Sequence, residues 1–190
     1  MEAQALEGGF SNAPVESSHA FRAALNVMAR PGMVETLTGA MPPVGLSVAA
    51  GTLLLTLCDH DTPIHLAGNM DTQAIRDWLT FHTGTPFVDT ADAMFAVGAW
   101  DALMPITRFA VGTPQYPDRS TTLIVEGFGT TKVELEGPGI ETKMQGDLPD
   151  VKPFQLNAAL FPLGCDFYFT NRDQISALPR TTRVEVMPCM

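Results

Sequence analysis

Two arginines and two threonines form the most suggestive chemical grouping in this sequence. In Leu178-Pro179-Arg180-Thr181-Thr182-Arg183-Val184-Glu185 they cluster around a turn that leads into a strand. A guanidinium fork can hold phosphate or carboxylate through two parallel hydrogen bonds, and threonine hydroxyls can add further donors. Arg180, Thr181, Thr182 and Arg183 are therefore the candidate ligand- or phosphate-binding residues, with His82 as an outlying addition. The chain also carries 21 acidic side chains that could pair with Arg180 or Arg183. An internal ion pair or a subunit contact is the preferred account of both arginines.

The other reactive residues form no complete catalytic set. His60 and His65 flank Pro63, with Asp59 and Asp61 beside them. Such groups can bind zinc, manganese or iron, but here they fall at a helix end, where Asp and His commonly cap a turn. No metal site is assigned. His19 falls in a helix's first turn. His82 lies on an apolar stripe, where a hydrogen-bonded, partly buried histidine is the default. There is no GxxxxGK[ST], no GxGxxG after a strand and no GxSxG elbow. Gly112-Thr113-Pro114 cannot replace a phosphate loop, because proline lacks the N–H that a phosphate cradle needs.

Cys58, Cys165 and Cys189 contain no CxxC pair, so a zinc ribbon or redox motif is not expected. Cys58 ends an apolar helix. Cys165 sits in a turn before a strand, with no cation beside it in sequence to lower its pKa. Both read as inert. A Schiff base with pyridoxal phosphate needs a lysine poised in a pocket. The lysines are Lys132 and Lys143, on polar faces of a hairpin, and Lys152, in a loop before Pro153. No catalytic residue is assigned and no cofactor is expected.

Composition bounds the rest. A chain of 190 residues fits one domain, which at this size buries roughly 70% of its unfolded surface. Apolar residues make up 45%, charged residues 17%, and mean hydropathy is +0.10. Much apolar surface must therefore be hidden, in a core or against partners. The net charge of −10 argues against nucleic acid, which needs clustered Lys and Arg, and against anionic membranes. Sparse, odd cysteines fit a reducing compartment. The first basic residue is Arg22, so no charged region precedes an apolar run as in a signal peptide. The most apolar segment, Leu46 to Cys58, is shorter than the roughly 20 residues of a membrane span. A cytoplasmic location is expected.

The elements that must position these groups follow from periodicity and punctuation. Residues 1–16 read as a flexible N-terminal segment before a single domain over 17–190. Ser17 or Ser18 can cap a helix running to about Ala29, with Phe21, Leu25 and Met28 as its apolar face and Pro31-Gly32 as its stop. Met33 to Leu37 suggests a strand. Leu46 to Cys58 reads as a helix buried on most sides, followed by a strand at Ile64 to Leu66. Asp71 can cap a third helix reaching about Thr83, with Ile75, Trp78, Leu79 and His82 on one stripe. Further strands are expected at Met94 to Ala99, Thr122 to Glu126, Asp166 to Thr170 and Val184 to Val186. Short helices are expected near Asp101 to Met104 and Pro153 to Leu160, and residues 112–120 read as a loop. Val133 and Leu135 alternate with charges, as do Ile140 and Met144 beyond Gly137-Pro138-Gly139. That pattern reads as a hairpin with Pro-Gly in a type II turn. The whole is α/β with a mixed sheet.

In this order and spacing the chain resembles the H subunit family of the bacterial carbon–phosphorus lyase system, the phosphonate metabolism proteins PhnH. The resemblance rests on Phe21-Arg22 with Met28 and Pro31-Gly32, and on Leu53-Leu54-Leu55-Thr56-Leu57 with Asp59, Asp61, Thr62 and Pro63. It continues through Phe81-His82-Thr83 with Pro86, Gly112-Thr113, Thr122-Leu123-Ile124 and Gly137-Pro138-Gly139-Ile140. It finishes with Phe161-Pro162-Leu163-Gly164, Asp166 and the segment Leu178 to Glu185. The tail Met187 to Met190 adds nothing to it.

The resemblance implies a three-layer α/β/α fold similar to the large domain of pyridoxal-phosphate-dependent transferases, without the cofactor or its lysine. It implies a homodimer in isolation and partnership with the G, I and J subunits in a core complex. That complex acts on organic phosphonates such as methylphosphonate. With the G, I and L proteins, the H subunit would support transfer of the phosphonate to ribose C1 of ATP with release of adenine. The J subunit, carrying an iron–sulfur cluster and using S-adenosylmethionine, would later break the C–P bond. No catalytic residue of the H subunit carries over. Three readings follow: an accessory subunit, a phosphonate- or nucleotide-binding subunit, and a stand-alone metal- or pyridoxal-phosphate-dependent enzyme.

Overall fold

Strand positions that alternate between two apolar faces require cover on both sides, and the fold supplies two different covers. The computed structural model describes residues 7–187. Its strands are β1 (Glu35–Thr36), β2 (Ile64–Leu66), β3 (Phe95–Ala99), β4 (Thr122–Glu126), β5 (Thr131–Glu136), β6 (Met144–Leu148), β7 (Asp166–Asn171), β8 (Gln174–Leu178) and β9 (Arg183–Val186). Its helices are α1 (Ala13–Ala29), α2 (Val48–Leu57), α3 (Gln73–Thr83), α4 (Trp100–Leu103) and α5 (Lys152–Ala158).

A six-stranded sheet runs β1-β8-β7-β4-β3-β2. Its β2, β3, β4 and β7 are mutually parallel, while β8 and β1 are added antiparallel at one edge. A smaller antiparallel sheet runs β6-β5-β9. One face of the large sheet (Ile64, Val97, Ile124, Tyr168 and Ile175) packs with buried residues of α1, α2 and α3. The opposite face (Ala96, Leu123, Val125, Phe167 and Phe169) packs with Leu103 of α4, Phe154 of α5 and Val133, Leu135 and Val184 of the small sheet. The parallel strands are apolar on both faces because both are covered. The mixed α/β sheet expected from sequence is present. Helices alone cover one face, and a sheet with two short helices covers the other.

Several boundaries differ from the sequence reading for local reasons. Helix α1 begins at Ala13, so part of the segment expected to be flexible is helical. Pro14 occupies its first turn, where a missing N–H costs nothing. Glu16 accepts the Asn12 N–H at 2.7 Å, while Ser17 and Ser18 donate back to the carbonyls of Ala13 and Val15 instead of capping. Residues before α1 are also tied down. Trp78 Nε1–H donates to the Glu7 carbonyl at 3.0 Å and the Met41 N–H donates to that of Gly8 at 2.8 Å. Residues 1–6 and 188–190, including Cys189, lie outside the described residues.

The apolar face of α1 is not the expected one. Its buried residues are Ala20, Ala23, Ala24 and Val27, whereas Phe21 and Leu25 are 48% and 51% exposed. Small side chains let α1 lie close to its neighbours, and Tyr168 of β7 donates a hydrogen bond to the Ala24 carbonyl at 3.4 Å. Helical period marks stripes, but packing distance selects which stripe goes inward.

Two caps moved. Thr72, not Asp71, accepts the Ile75 N–H at the start of α3, and Asp71 pairs with Arg76 at 2.5 Å. Ser47 caps α2 by accepting the Ala50 N–H at 3.0 Å. In the small sheet, β5 pairs with β6 in the register Leu135 to Met144, so the second strand starts where the expected one ended. The Pro138-Gly139 turn does form. Ile140 N–H donates to Gly137 O at 3.1 Å, and Gly139 has φ 84°. A Cβ on Gly139 would strike the Ala29 carbonyl, so this turn seats the hairpin on the end of α1. Strand β8 was not foreseen. It leaves β7 through Arg172, a non-glycine residue at φ 56°, with no Asn-Gly or Asp-Gly signal.

Leu54 is fully buried under the sheet. Leu54→Ala should cost about 2–5 kcal/mol, read as a drop in urea midpoint with little change in slope.

Candidate functional site

The hairpin from β7 into β8 returns the chain to the start of β7, where Asp166 meets Arg180. The Arg180 backbone N–H donates to Asp166 Oδ1 at 2.8 Å. Its Nε lies 3.2 Å from both carboxylate oxygens, and Nη2 donates to Oδ2 at 2.6 Å. Nη1 donates to the Pro117 carbonyl at 2.7 Å and reaches that of Pro162 at 3.4 Å, and Nη2 also donates to Ser120 Oγ. The Arg180 side chain is 12% exposed. Its fork is engaged within the chain, joining β7, the end of β8, the loop at 117–120 and the turn before β7.

The other grouped residues diverge. Arg183 lies opposite Glu136 across the β5–β9 ladder and donates to it at 2.6 Å on an exposed surface. Thr182 is buried, and its Oγ1 has no hydrogen-bond partner among the described residues. Thr181 is half-buried, with its carbonyl close against Gly137. His82 is elsewhere. Its Nε2 lies 3.3 Å from the Glu7 carbonyl, and its ring meets Trp78 and Phe81 edge-on at 5.1 and 4.9 Å. His82 and Arg180 share none of these contacts.

The histidine–aspartate set near Pro63 is also dispersed. His60 Nε2 lies 3.2 Å from Asp61 on an open surface, while His65 Nδ1 lies 3.0 Å from the Val88 carbonyl. Among the described residues, no group of three or more His, Cys, Asp or Glu side chains converges as a metal site would require. Burial pushes the thiols of Cys58 and Cys165 up to about 12. Cys165 has a cation nearby that its sequence neighbours did not reveal. Arg180 pulls its pKa down, but burial outweighs it. Lys132 and Lys143 pair with Asp147 at 2.7 Å and Glu134 at 2.6 Å on the small sheet. Lys152 opens α5.

Sequence reasoning passed over Glu126. It ends β4 at the carboxyl edge of the parallel strands, the edge where open α/β sheets hold ligands. Its Oε1 accepts the Ser47 N–H at 2.7 Å. Burial raises its pKa, and hydrogen bonds from Ser47 and Thr170 oppose that rise. The next residue, Gly127, has φ 99° with no heavy atom within 4 Å of where a Cβ would sit, so this edge is open. The signal in sequence was a carboxylate closing an otherwise apolar strand. A separate pocket of ≈ 140 Å³ lies between the two sheets, where Gln145, Asp147 and Ser176 line a mainly apolar wall.

Fold and site together define a mixed α/β protein whose charged groups mostly hold the frame. The family model for "Bacterial phosphonate metabolism protein (PhnH)" matches residues 8–185, and the chain belongs to this family. It is 40% identical to "Alpha-D-ribose 1-methylphosphonate 5-triphosphate synthase subunit PhnH" of Rhizobium meliloti (strain 1021), over 97% of this chain and 98% of that one. It is 25% identical to "Putative C-P lyase subunit protein HtxG" of Stutzerimonas stutzeri, over 95% of this chain and 96% of that one.

Removing Arg180 strands Asp166. Arg180→Ala should therefore cost about 2–4 kcal/mol in urea unfolding, whereas Arg183→Ala should cost about 1 kcal/mol or less. Glu126 gives a pH signature. Its folded pKa lies above its ordinary value of 4.5, so the folded state holds the proton more tightly and stability falls as pH rises from there. Glu126→Gln keeps an acceptor for Ser47 but cannot ionise. Melting curves should show the variant gaining on the wild type as pH rises above 4.5.

Proposed function

We propose that this chain is the H-type subunit of a complex that makes alpha-D-ribose 1-methylphosphonate 5-triphosphate during organic phosphonate breakdown. With G-, I- and L-type proteins it would support transfer of the phosphonate to ribose C1 of ATP with release of adenine. The observation that carries this reading is 40% identity to a synthase subunit across 97% of the chain. Its G-, I- and J-type partners, a homodimeric state in isolation and a cytoplasmic location belong to the same proposal. No helix among the described residues is long and apolar enough to cross a membrane, which is compatible with it.

Likeness to the large domain of pyridoxal-phosphate-dependent transferases, with the cofactor lost, is part of this reading. The parallel strands β2, β3, β4 and β7 beneath three helices support it. Lys132 and Lys143 are committed to ion pairs on the small sheet. A ligand-binding role for Arg180 to Arg183 would require Arg180 to leave Asp166, so the geometry favours an assembly role for this chain.

Co-purification with the G-, I- and J-type subunits tests the proposal. The chain should elute with them and restore adenine release from ATP and methylphosphonate when the L-type protein is added. Elution alone at micromolar concentration, while the other subunits assemble, would overturn it. Calorimetry with ATP or methylphosphonate on the isolated chain should show no binding that Arg180→Ala and Arg183→Ala together abolish.

A further inference from the structure

We infer that the outer face of α1 docks an acid-rimmed apolar surface of another subunit, with Phe21 and Leu25 as anchors and Arg22 as the charged contact. The inference rests on the chain acting as a complex subunit.

The first observation is an inversion of size. The inward stripe of α1 is made of alanines and Val27, while its bulky Phe21 and Leu25 point out at 48% and 51% exposure. They lie at i and i+4, so they form one continuous apolar ridge on the helix surface. Leu25 and Phe21 contribute little to the core cluster, and the fold places larger side chains in water than in the helix contact.

The second observation is charge. In this chain of net charge −10, five of the 11 Lys and Arg side chains pair with carboxylates: Arg76, Lys132, Lys143, Arg180 and Arg183. Arg22, Arg30, Arg108, Arg119, Lys152 and Arg172 make no such pair among the described residues, and of these Arg22 stands exposed beside the ridge, one residue from Phe21 and three from Leu25. Arg30 follows the C-terminal end of α1, where the helix dipole favours a cation. Arg22 is in mid-helix and has no such role. The acid of α1, Glu16, is turned to the Asn12 N–H and to Ser11 at the opposite end. The ridge is thus apolar with a positive flank on an acidic protein.

Complementarity selects the occupant. Exposed aromatic and arginine side chains together are the residue types that anchor protein interfaces. A two-fold pairing of this face with its own copy would set Arg22 against Arg22, which repels. An anionic bilayer would attract Arg22 but repel a chain of net charge −10. A partner presenting carboxylates around an apolar hollow satisfies both halves of the face.

The test measures affinity of the full-length chain for the assembled partner subunits at two salt concentrations. Phe21→Asp and Leu25→Asp should each weaken binding at least about tenfold, and Arg22→Glu should weaken it about tenfold at low salt and less at high salt. Melting temperatures should stay near the wild type, because these residues are outside the core. Leu156→Asp, on the exposed side of α5, should leave affinity unchanged. If the wild type assembles and the Phe21, Arg22 and Leu25 variants assemble equally well, this surface is wrong and the subunit reading stands. If the wild type fails to assemble, the subunit reading falls and this inference with it. Variants that lose only self-association, or only sedimentation with phosphatidylserine vesicles, would assign the face to a second copy or to a membrane and overturn the inference.

Discussion

One guanidinium joins three stretches of chain that are distant in sequence: residues 117–120, residues 162–166 and its own position after β8. Arg180 contacts Asp166 at the start of β7, the Pro117 carbonyl and Ser120 in the loop before β4, and the turn at Pro162. These contacts pin the amino edge of the parallel strands, where β4 and β7 lie side by side. A planar fork with five donors suits this task, because each N–H faces a separate fixed acceptor. With its donors engaged and little of its side chain in water, the group acts as a structural clamp.

The sheet it secures carries two covers with different physics. Helices α1 and α2 lie close on one face because alanines keep their buried side chains short, Gly51 makes room for Pro42, and α3 adds the bulkier Ile75, Trp78 and Leu79. The other face is wide enough for stacked aromatics. Phe154 packs edge-on against Phe167 at 5.0 Å and lies near parallel to Trp100 at 4.8 Å. The small sheet completes that layer and reaches back to the end of α1 through the Gly139 turn. Both covers also leave large apolar groups outside: Phe21 and Leu25 on α1, Phe81 on α3 and Leu156 on α5.

Electrostatics follow the same division of labour. Arg180 is partly enclosed and secures the frame, and Arg183, Lys132 and Lys143 make exposed pairs worth little individually. Glu126 is a half-buried carboxylate that faces an open edge, held by the Ser47 N–H at the start of α2. Membership of the PhnH family places this arrangement among proteins of bacterial phosphonate metabolism. A subunit needs a stable frame and faces for its partners, and both are visible here.

Local chemistry was legible in the residues themselves. Period and punctuation located α2, α3, β2, β3, β4 and β7, since Leu53-Leu54, the 3.6 spacing of Ile75 and Leu79, and the Thr122 to Glu126 run need only near neighbours to reveal them. The absence of a phosphate-loop motif and the family itself were legible for the same reason. Other features required the fold. Nothing in Arg180 names Asp166 as its partner until the unforeseen hairpin at Arg172 brings them together. Nothing in α1 says that alanines go inward, because both stripes share one period and only the distance to α2 and the sheet separates them. Glu126 became notable once α2 placed Ser47 upon it. Sequence sets which groups are near along the chain, whereas burial, pairing and exposure depend on groups that only tertiary packing makes neighbours.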